Sequence, residues 1–413
     1  MENKMSWLRR AFWTIATLTL SGCARESWHE IPVVELPGPA AEGAMLPHLA
    51  ALRPDGLVLS WVEPAGGGQF ALKFSTFNKA GWDANPRVVA QGSDWFVNWA
   101  DFPAVVPIDA MHWSAHWLVK RPGGDYAYDI ALSVSADSGA SWKPAVTPHL
   151  DGTPTEHGFV SRFPVAGGFA IAWLDGRETS ASDHATHSAT DAGAMTLRAA
   201  RIGFDGELGQ QFLVDSRVCD CCQTAATMTR RGALLAYRDR SEQELRDISV
   251  ARFENGKWQA LAGTKTDGWK INGCPVNGPA IDAIGNNVAL AWFTAADNRP
   301  RVMLALSRYA GDDFSDPILI EENALGRVDV VALDDGGAVV SWLAQTGQGA
   351  EIRLRRVDAG GEMSPIRTVA ATQPARSSGF PQLARKGDDL VLAWTVVGDP
   401  SNVRTAMLEG AAR

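Results

Sequence analysis

Three groups of residues have types and spacings that could do chemistry. The first is a set of thiols. Cys219, Cys221 and Cys222 are nearly contiguous, and Cys274 follows later in the chain. On an extended segment Cys219 and Cys221 face one way and Cys222 the other. In an oxidising compartment four such cysteines read as two disulfides, one of which could be the vicinal Cys221–Cys222 pair. The rival reading is a thiolate site for Cu or Zn, helped by His157, although C-x-C-C is no standard zinc spacing. The second group is Glu156 with His157, and Asp175 with Arg177. Two carboxyl groups can supply the general acid and base that cleave a glycosidic bond, and His157 can carry a proton or act as a ligand. The third group is Arg238, Asp239, Arg240, Arg246 and Asp247, joined by Asp101 and Asn277. Arginine forks suit a carboxylate, sulfate or phosphate, and the same residues could equally form a surface ion-pair network. His184 and His187 fall in a polar insertion, 178–192, that reads as a solvated loop.

A repeat positions these groups. An apolar run ending in Trp or Tyr recurs seven times, with its aromatic residue at 61, 117, 173, 237, 292, 342 and 394. Successive spacings of 50–64 residues are those of propeller blades and exclude short solenoid repeats. Each unit runs in one order: an apolar strand (102–108, 159–165, 328–333), the aromatic-ended strand, a third strand (71–77, 129–136, 195–202, 247–253, 352–357) and a weaker fourth (87–90, 318–321). No helical stretch interrupts them. The expectation is an all-β propeller of four-stranded antiparallel blades, seven in number, with six as the alternative. The last unit stops after its third strand, and the strand-like segment 31–36 would supply the missing outer strand and close the ring. The inner strand starts and the second strand ends on one face. Polar residues at those points of units two to five should therefore converge at the channel mouth.

Composition bounds the rest. The chain has 413 residues and a net charge of −9, which argues against a nucleic-acid partner. Lys4, Arg9 and Arg10 precede an apolar run at 11–20, too short to span a bilayer, and then Leu20-Ser21-Gly22-Cys23. This resembles a bacterial lipobox. The resemblance implies a signal peptide at 1–22, lipidation of Cys23, a tether at 23–30 and one propeller domain at 31–413. Ala24 after the cysteine favours the outer membrane.

Ser135-Ala136-Asp137-Ser138-Gly139-Ala140-Ser141-Trp142 fits the Asp-box, S-x-D-x-G-x-x-W, and resembles the repeat of sialidases, with a degenerate copy at 307–314. The mature chain resembles sialidase-like lipoproteins of unassigned activity through Thr155–Phe159, Trp173–Arg177, the 219–224 segment and the 273–279 segment. Sialidases share three arginines for the substrate carboxylate, a Tyr–Glu nucleophile pair, an acidic aspartate and an F/Y-R-I-P motif. Here Ser161-Arg162-Phe163-Pro164 echoes that motif loosely, in the third unit instead of the first, and none of Tyr126, Tyr128, Tyr237 and Tyr309 matches the nucleophile. The expected function is a monomeric, lipid-anchored envelope protein that binds or hydrolyses an acidic glycan. A non-catalytic scaffold and a Cys-based metal or redox protein are the alternatives. Cys23→Ser should abolish stable anchoring, since each buried CH₂ of an acyl chain contributes about 0.8 kcal/mol. Metabolic labelling with a palmitate analogue checks this, and label retained by the mutant refutes the lipobox.

Overall fold

The computed structural model describes residues 28–79, 81–179, 193–262 and 264–413. Cys23, the 1–22 segment, His184 and His187 lie outside them. Seven antiparallel sheets form a ring, so the seven-bladed expectation is met. The strands of the third blade are His157–Val165, Gly168–Asp175, Thr196–Gly203 and Leu208–Asp215, paired in sequence order. The fourth, fifth and sixth blades repeat that plan over 225–261, 280–322 and 324–372. The first blade, 45–92, carries an added short strand, Gly81–Trp82. The second blade has three strands, Ala104–Pro107, Trp113–Lys120 and Tyr128–Ser135, and a bridge from Leu132 to Val146 stands where its fourth strand would run.

Ring closure follows the sequence reading. The last blade pairs Gln382–Lys386, Asp389–Val396 and Asn402–Leu408, and its outer edge is completed by Val34–Leu36, with Glu35 opposite Ala406. Ile31 is buried among Leu392, Leu408 and Leu343, and the Trp28 indole donates to the Pro365 carbonyl across 3.1 Å.

The second strands are buried on both faces, which is why they read as continuous apolar runs. Their terminal aromatics recur as one device, because a buried indole or phenol needs an acceptor. Trp61 donates to Glu63 (2.8 Å), Trp173 to Asp175 (2.7 Å), Trp292 to Asp267 (2.6 Å), Trp342 to Glu321 (2.5 Å) and Tyr237 to Asp215 (2.8 Å).

Inside the Asp-box sequence, the Asp137 carboxylate accepts from the Ser141 amide (2.8 Å) and the Ser141 hydroxyl. Gly139 sits at φ +75, where a Cβ would run into Phe74 and Trp113, and Trp142 meets Phe74 edge-on. The 307–314 copy keeps part of this turn, since the Ser307 hydroxyl accepts from the Gly311 amide at 3.1 Å and Phe314 is buried.

Three inner strands carry a β-bulge near the channel mouth, each with a non-glycine residue at positive φ: Leu46 (56°), Phe159 (55°) and Arg327 (54°). Each bulge frees an amide that another blade or its leading loop must satisfy. Thr395 Oγ1 accepts from Leu46, Asp101 Oδ1 from Phe159 and Asn277 Oδ1 from Arg327, at 3.2, 2.8 and 2.7 Å.

Truncating Ile31 to Ala should cost about 2–4 kcal/mol, as for other buried large-to-small changes. Val34→Ala, on the exposed side of the same segment, should cost under about 1 kcal/mol. Denaturant unfolding of both checks whether the closing segment holds the ring.

Candidate functional site

A pocket of about 370 Å³ opens at the channel mouth between the second, third, fourth and fifth blades, the sector the repeat singled out. Its acidic side holds Glu156 and Asp220, and Arg217, Arg240, Arg246 and Arg376 also line it. Trp99, Tyr126, Cys221 and Cys274 are also part of the wall.

Tyr128, the first residue of its strand, also lines the pocket and stacks on Phe96 with ring centroids 4.1 Å apart. Its hydroxyl is 2.7 Å from Glu156 Oε1 and 2.9 Å from Asp101 Oδ2. A phenol has one proton to give, so when both contacts are hydrogen bonds one of the two carboxyls holds a proton and donates it to the phenol oxygen. Electrostatics agree. Burial pushes Asp101 up to about 7 against its bonds from Phe159 and Tyr128. Burial pushes Glu156 up to about 8, with the charges of Asp101 and Asp220 adding to it and the Tyr128 bond opposing it. The Tyr128 phenol is held well above its ordinary value, first by burial and then by both carboxylates. Gly158 makes the approach possible, since a Cβ there would lie 1.8 Å from Asp101 Oδ2.

Positive charge on the other side is only partly neutralised. Arg240 pairs with Asp220 (3.1 Å) and Glu244 (2.9 Å), and Arg246 pairs with Glu244 (2.7 Å). Arg217, Arg327 and Arg376 form no ion pair with the described residues. Arg327 is pushed down to about 10, first by burial and then by the neighbouring Arg376 charge. Both guanidiniums face the Trp99 ring, at 4.9 and 5.9 Å.

Several predicted site residues do other work. Asp175 is fully buried and does not line the pocket. It accepts from Trp173 and from Arg177 Nε at 2.7 Å, which repeats the Trp61–Glu63 device of the first blade. Burial would raise its carboxyl, but the Arg177 bond leads the effects that hold it below the usual range. His157 is fully buried, its ring stacked 3.7 Å from that of His149, among Asp129, Asp151 and Asp175. Arg177 Nη2 reaches Asp151 at 3.2 Å, so one guanidinium ties Asp151 to Asp175. Arg238 is a staple between blades, donating to the carbonyls of Asn277, Arg246 and Phe293 and lying 4.9 Å over Trp269. Asn277 holds the Arg327 bulge. Asp239 accepts from Ser249 and Asp247 from the Trp269 amide, both outside the pocket lining. Arg162 donates to the Ser114 carbonyl and to His116, and burial pushes it down to about 9.

The four cysteines are thiols here, all at or beside the pocket. Cys219 and Cys222 have their sulfurs 3.3 Å apart, beyond the roughly 2.05 Å of a disulfide. Burial alone would raise the Cys219 thiol. Hydrogen bonds with Cys221 and Cys222, together with the charges of Arg246 and Arg238, overcome this and hold it well below the ordinary thiol value.

Sequence reasoning missed Tyr128, Asp220, Arg217 and Arg376. Tyr128 opens the third strand of its blade, and a third strand starts on the face where the second ends, so the same geometry could have found it. Arg217 and Asp220 flank Cys219 just before an inner strand, while Arg376 belongs to a short 3-10 turn of the sixth-to-seventh connection that carries no repeat signal.

No protein-family model and no curated protein matches the chain. Among solved structures, a protein of unknown function from Dyadobacter fermentans is similar over 92% of this chain and 98% of its own, at 13% identity and TM-score 0.50, a likeness in fold. The NanB sialidase of Streptococcus pneumoniae (8% identity, 86% and 83% covered, TM-score 0.46) also resembles it. So does a GH93 α-L-arabinofuranosidase of Fusarium graminearum (14%, 91% and 97%, TM-score 0.47).

Native pKa values raised above the unfolded range give a definite sign. Asp101 and Glu156 contribute most to stability below about pH 4, where both states are protonated. That contribution is lost as pH rises to about 7–8, because the unfolded chain ionises first. Glu156→Gln and Asp101→Asn should each flatten the decline in melting temperature between these limits. Asp101→Asn should stay folded, because Asn277 caps an equivalent bulge as a neutral amide. Mutant profiles parallel to wild type would refute the raised values.

Proposed function

We propose that the pocket binds a glycan carrying a carboxylate or sulfate and hydrolyses a glycosidic bond in it. The observation that carries this reading is the Tyr128–Glu156–Asp101 group, which sets a carboxyl whose proton is favoured by burial at the wall of a pocket that also holds Asp220 and two arginines, Arg217 and Arg376, with no ion pair to the described residues. Glu156 is the general acid: Asp101 donates to the phenol oxygen, Tyr128 donates to Glu156 Oε1, and the acidic proton of Glu156 sits on its other oxygen. Its proton passes to the glycosidic oxygen as the bond to the anomeric carbon breaks. Asp220, salt-bridged to Arg240, is the general base, taking a proton from the water that attacks the anomeric carbon. A buried acid beside a salt-bridged carboxylate gives the site both a proton donor and a proton acceptor. Arg217 and Arg376 bind the anionic group, and Trp99 offers an aromatic face to the sugar ring. Tyr128 and Asp101 are positioning residues, acting through Glu156. The lipobox supports an envelope location, where such glycans are within reach.

An acidic-glycan array followed by hydrolysis assays on the bound members tests the reading. Glu156→Gln should lower kcat/KM by about 10²–10⁴-fold, the usual contribution of a positioned acid. Arg217→Ala should raise KM more than it lowers kcat. The alkaline limb of the wild-type profile should lie near pH 8, where Glu156 loses its proton. Tyr128→Phe should move that limb upward, because the tyrosine bond favours the ionised carboxylate. Binding to no acidic glycan sinks the proposal, and binding without turnover sinks its catalytic half.

A further inference from the structure

We propose that Cys219, Cys221 and Cys222, with Cys274 beside them, form a binding site for one thiophilic d¹⁰ cation, Cu(I) or Zn(II), at the edge of the pocket. The inference is independent of the glycoside reading.

Geometry carries it. The sulfurs of Cys219, Cys221 and Cys222 all lie within 4.8 Å of one another, and the Cys219–Cys222 separation is 3.3 Å. Metal–sulfur bonds of about 2.3 Å at tetrahedral angles set sulfurs roughly 3.8 Å apart, inside that span. A disulfide joins sulfurs in exclusive pairs, whereas here Cys219 hydrogen-bonds both Cys221 and Cys222. The fourth thiol, Cys274, meets Cys221 and so lies next to the group. Cys219 and Cys222 are buried, while Cys221 and Cys274 line the pocket, which leaves a path for a cation to arrive.

The segment that bears the thiols is held on both sides. The Val218 amide donates to Met195 (2.9 Å) and the Cys219 amide to Arg238 (3.0 Å). Beyond the cluster, the Gln223 side chain spans the Ala100 carbonyl (2.6 Å) and the Gly278 amide (3.1 Å), and Thr224 donates to the Phe159 carbonyl (2.9 Å). These bonds tie the thiols to the second, third and fifth blades, so the ligand set exists before any ion arrives. The charge also suits thiolates. Arg246 Nη1 lies 3.2 Å from Cys219 Sγ and offsets the negative charge that three sulfur anions keep around a monovalent or divalent cation. Soft sulfur ligands select Cu(I) and Zn(II) over Mg(II), Ca(II) or Mn(II).

The test uses the full-length protein, purified metal-free. Unfolded without reductant, it should titrate with four free thiols besides Cys23. Folded and reduced, it should bind one equivalent of Cu(I) in competition with a Cu(I) chelator, or of Zn(II) in competition with a chromophoric zinc chelator, and the bound ion should protect the thiols from alkylation. The tighter of the two titrations identifies the ion. Cys219→Ser and Cys222→Ser should each weaken binding at least tenfold. Cys221→Ser, at the partly exposed position, should do the same while leaving the melting temperature unchanged, which keeps the test informative if the buried variants misfold. No free thiols beyond Cys23 in the unfolded protein, meaning two disulfides, overturns the proposal. So does reduced, folded protein that binds neither ion more tightly than its Cys221→Ser variant.

Discussion

An inner strand that bulges leaves an amide pointing away from its own ladder, and a buried amide must find an acceptor. The site depends on how this molecule meets that obligation. Leu46 is capped by a threonine, Arg327 by an asparagine and Phe159 by an aspartate. Two of the three positions show that a neutral oxygen suffices. The carboxylate at Asp101 therefore exceeds what the backbone needs, and its second oxygen goes to Tyr128. A buried carboxyl that the fold does not require, at the end of a chain of bonds leading to the pocket, marks a candidate for function. The close approach also dictates glycine at 158, as Asn277 dictates it at 326, where a Cβ would lie 2.2 Å from Asn277 Oδ1.

Repetition separates scaffold from site elsewhere as well. A carboxylate that accepts a hydrogen bond from a buried aromatic recurs for five blades, so Asp175 in that role belongs to the frame. Tyr128 with Glu156 and Asp101, and the thiols beside Arg246, have no counterpart in another blade among the described residues. Departures from a repeated plan locate chemistry better than residue type does, because the plan itself consumes many acids and arginines.

The same distinction explains what could be read from the chain. Strand order, blade number and the closing role of the 31–36 segment follow from local periodicity, and each lies within a few residues of its predicted place. The sector holding the pocket was legible too, since strand ends on one face must converge. The partners were not. Asn277 and Arg238 look like ligand residues in sequence, yet their polar atoms are taken by a bulge amide and by three carbonyls from neighbouring segments. Tyr128 looks like any strand residue until Asp101 and Glu156, from two other segments, arrive at its hydroxyl. Such pairings are set by contacts between blades, which no single repeat encodes.

The seam of the ring has a consequence for folding. Val34–Leu36 pairs with Asn402–Leu408, so the last blade is completed by strands that are far apart along the chain. The other six blades form from strands that follow one another, and each closes only short loops. Joining the seam closes a far longer loop, and the entropy it costs grows with the logarithm of loop length. Until the two strands meet, the last blade keeps an open edge of the kind that recruits other chains. Circularity thus rests on a three-residue strand whose neighbours in space are remote from it in sequence.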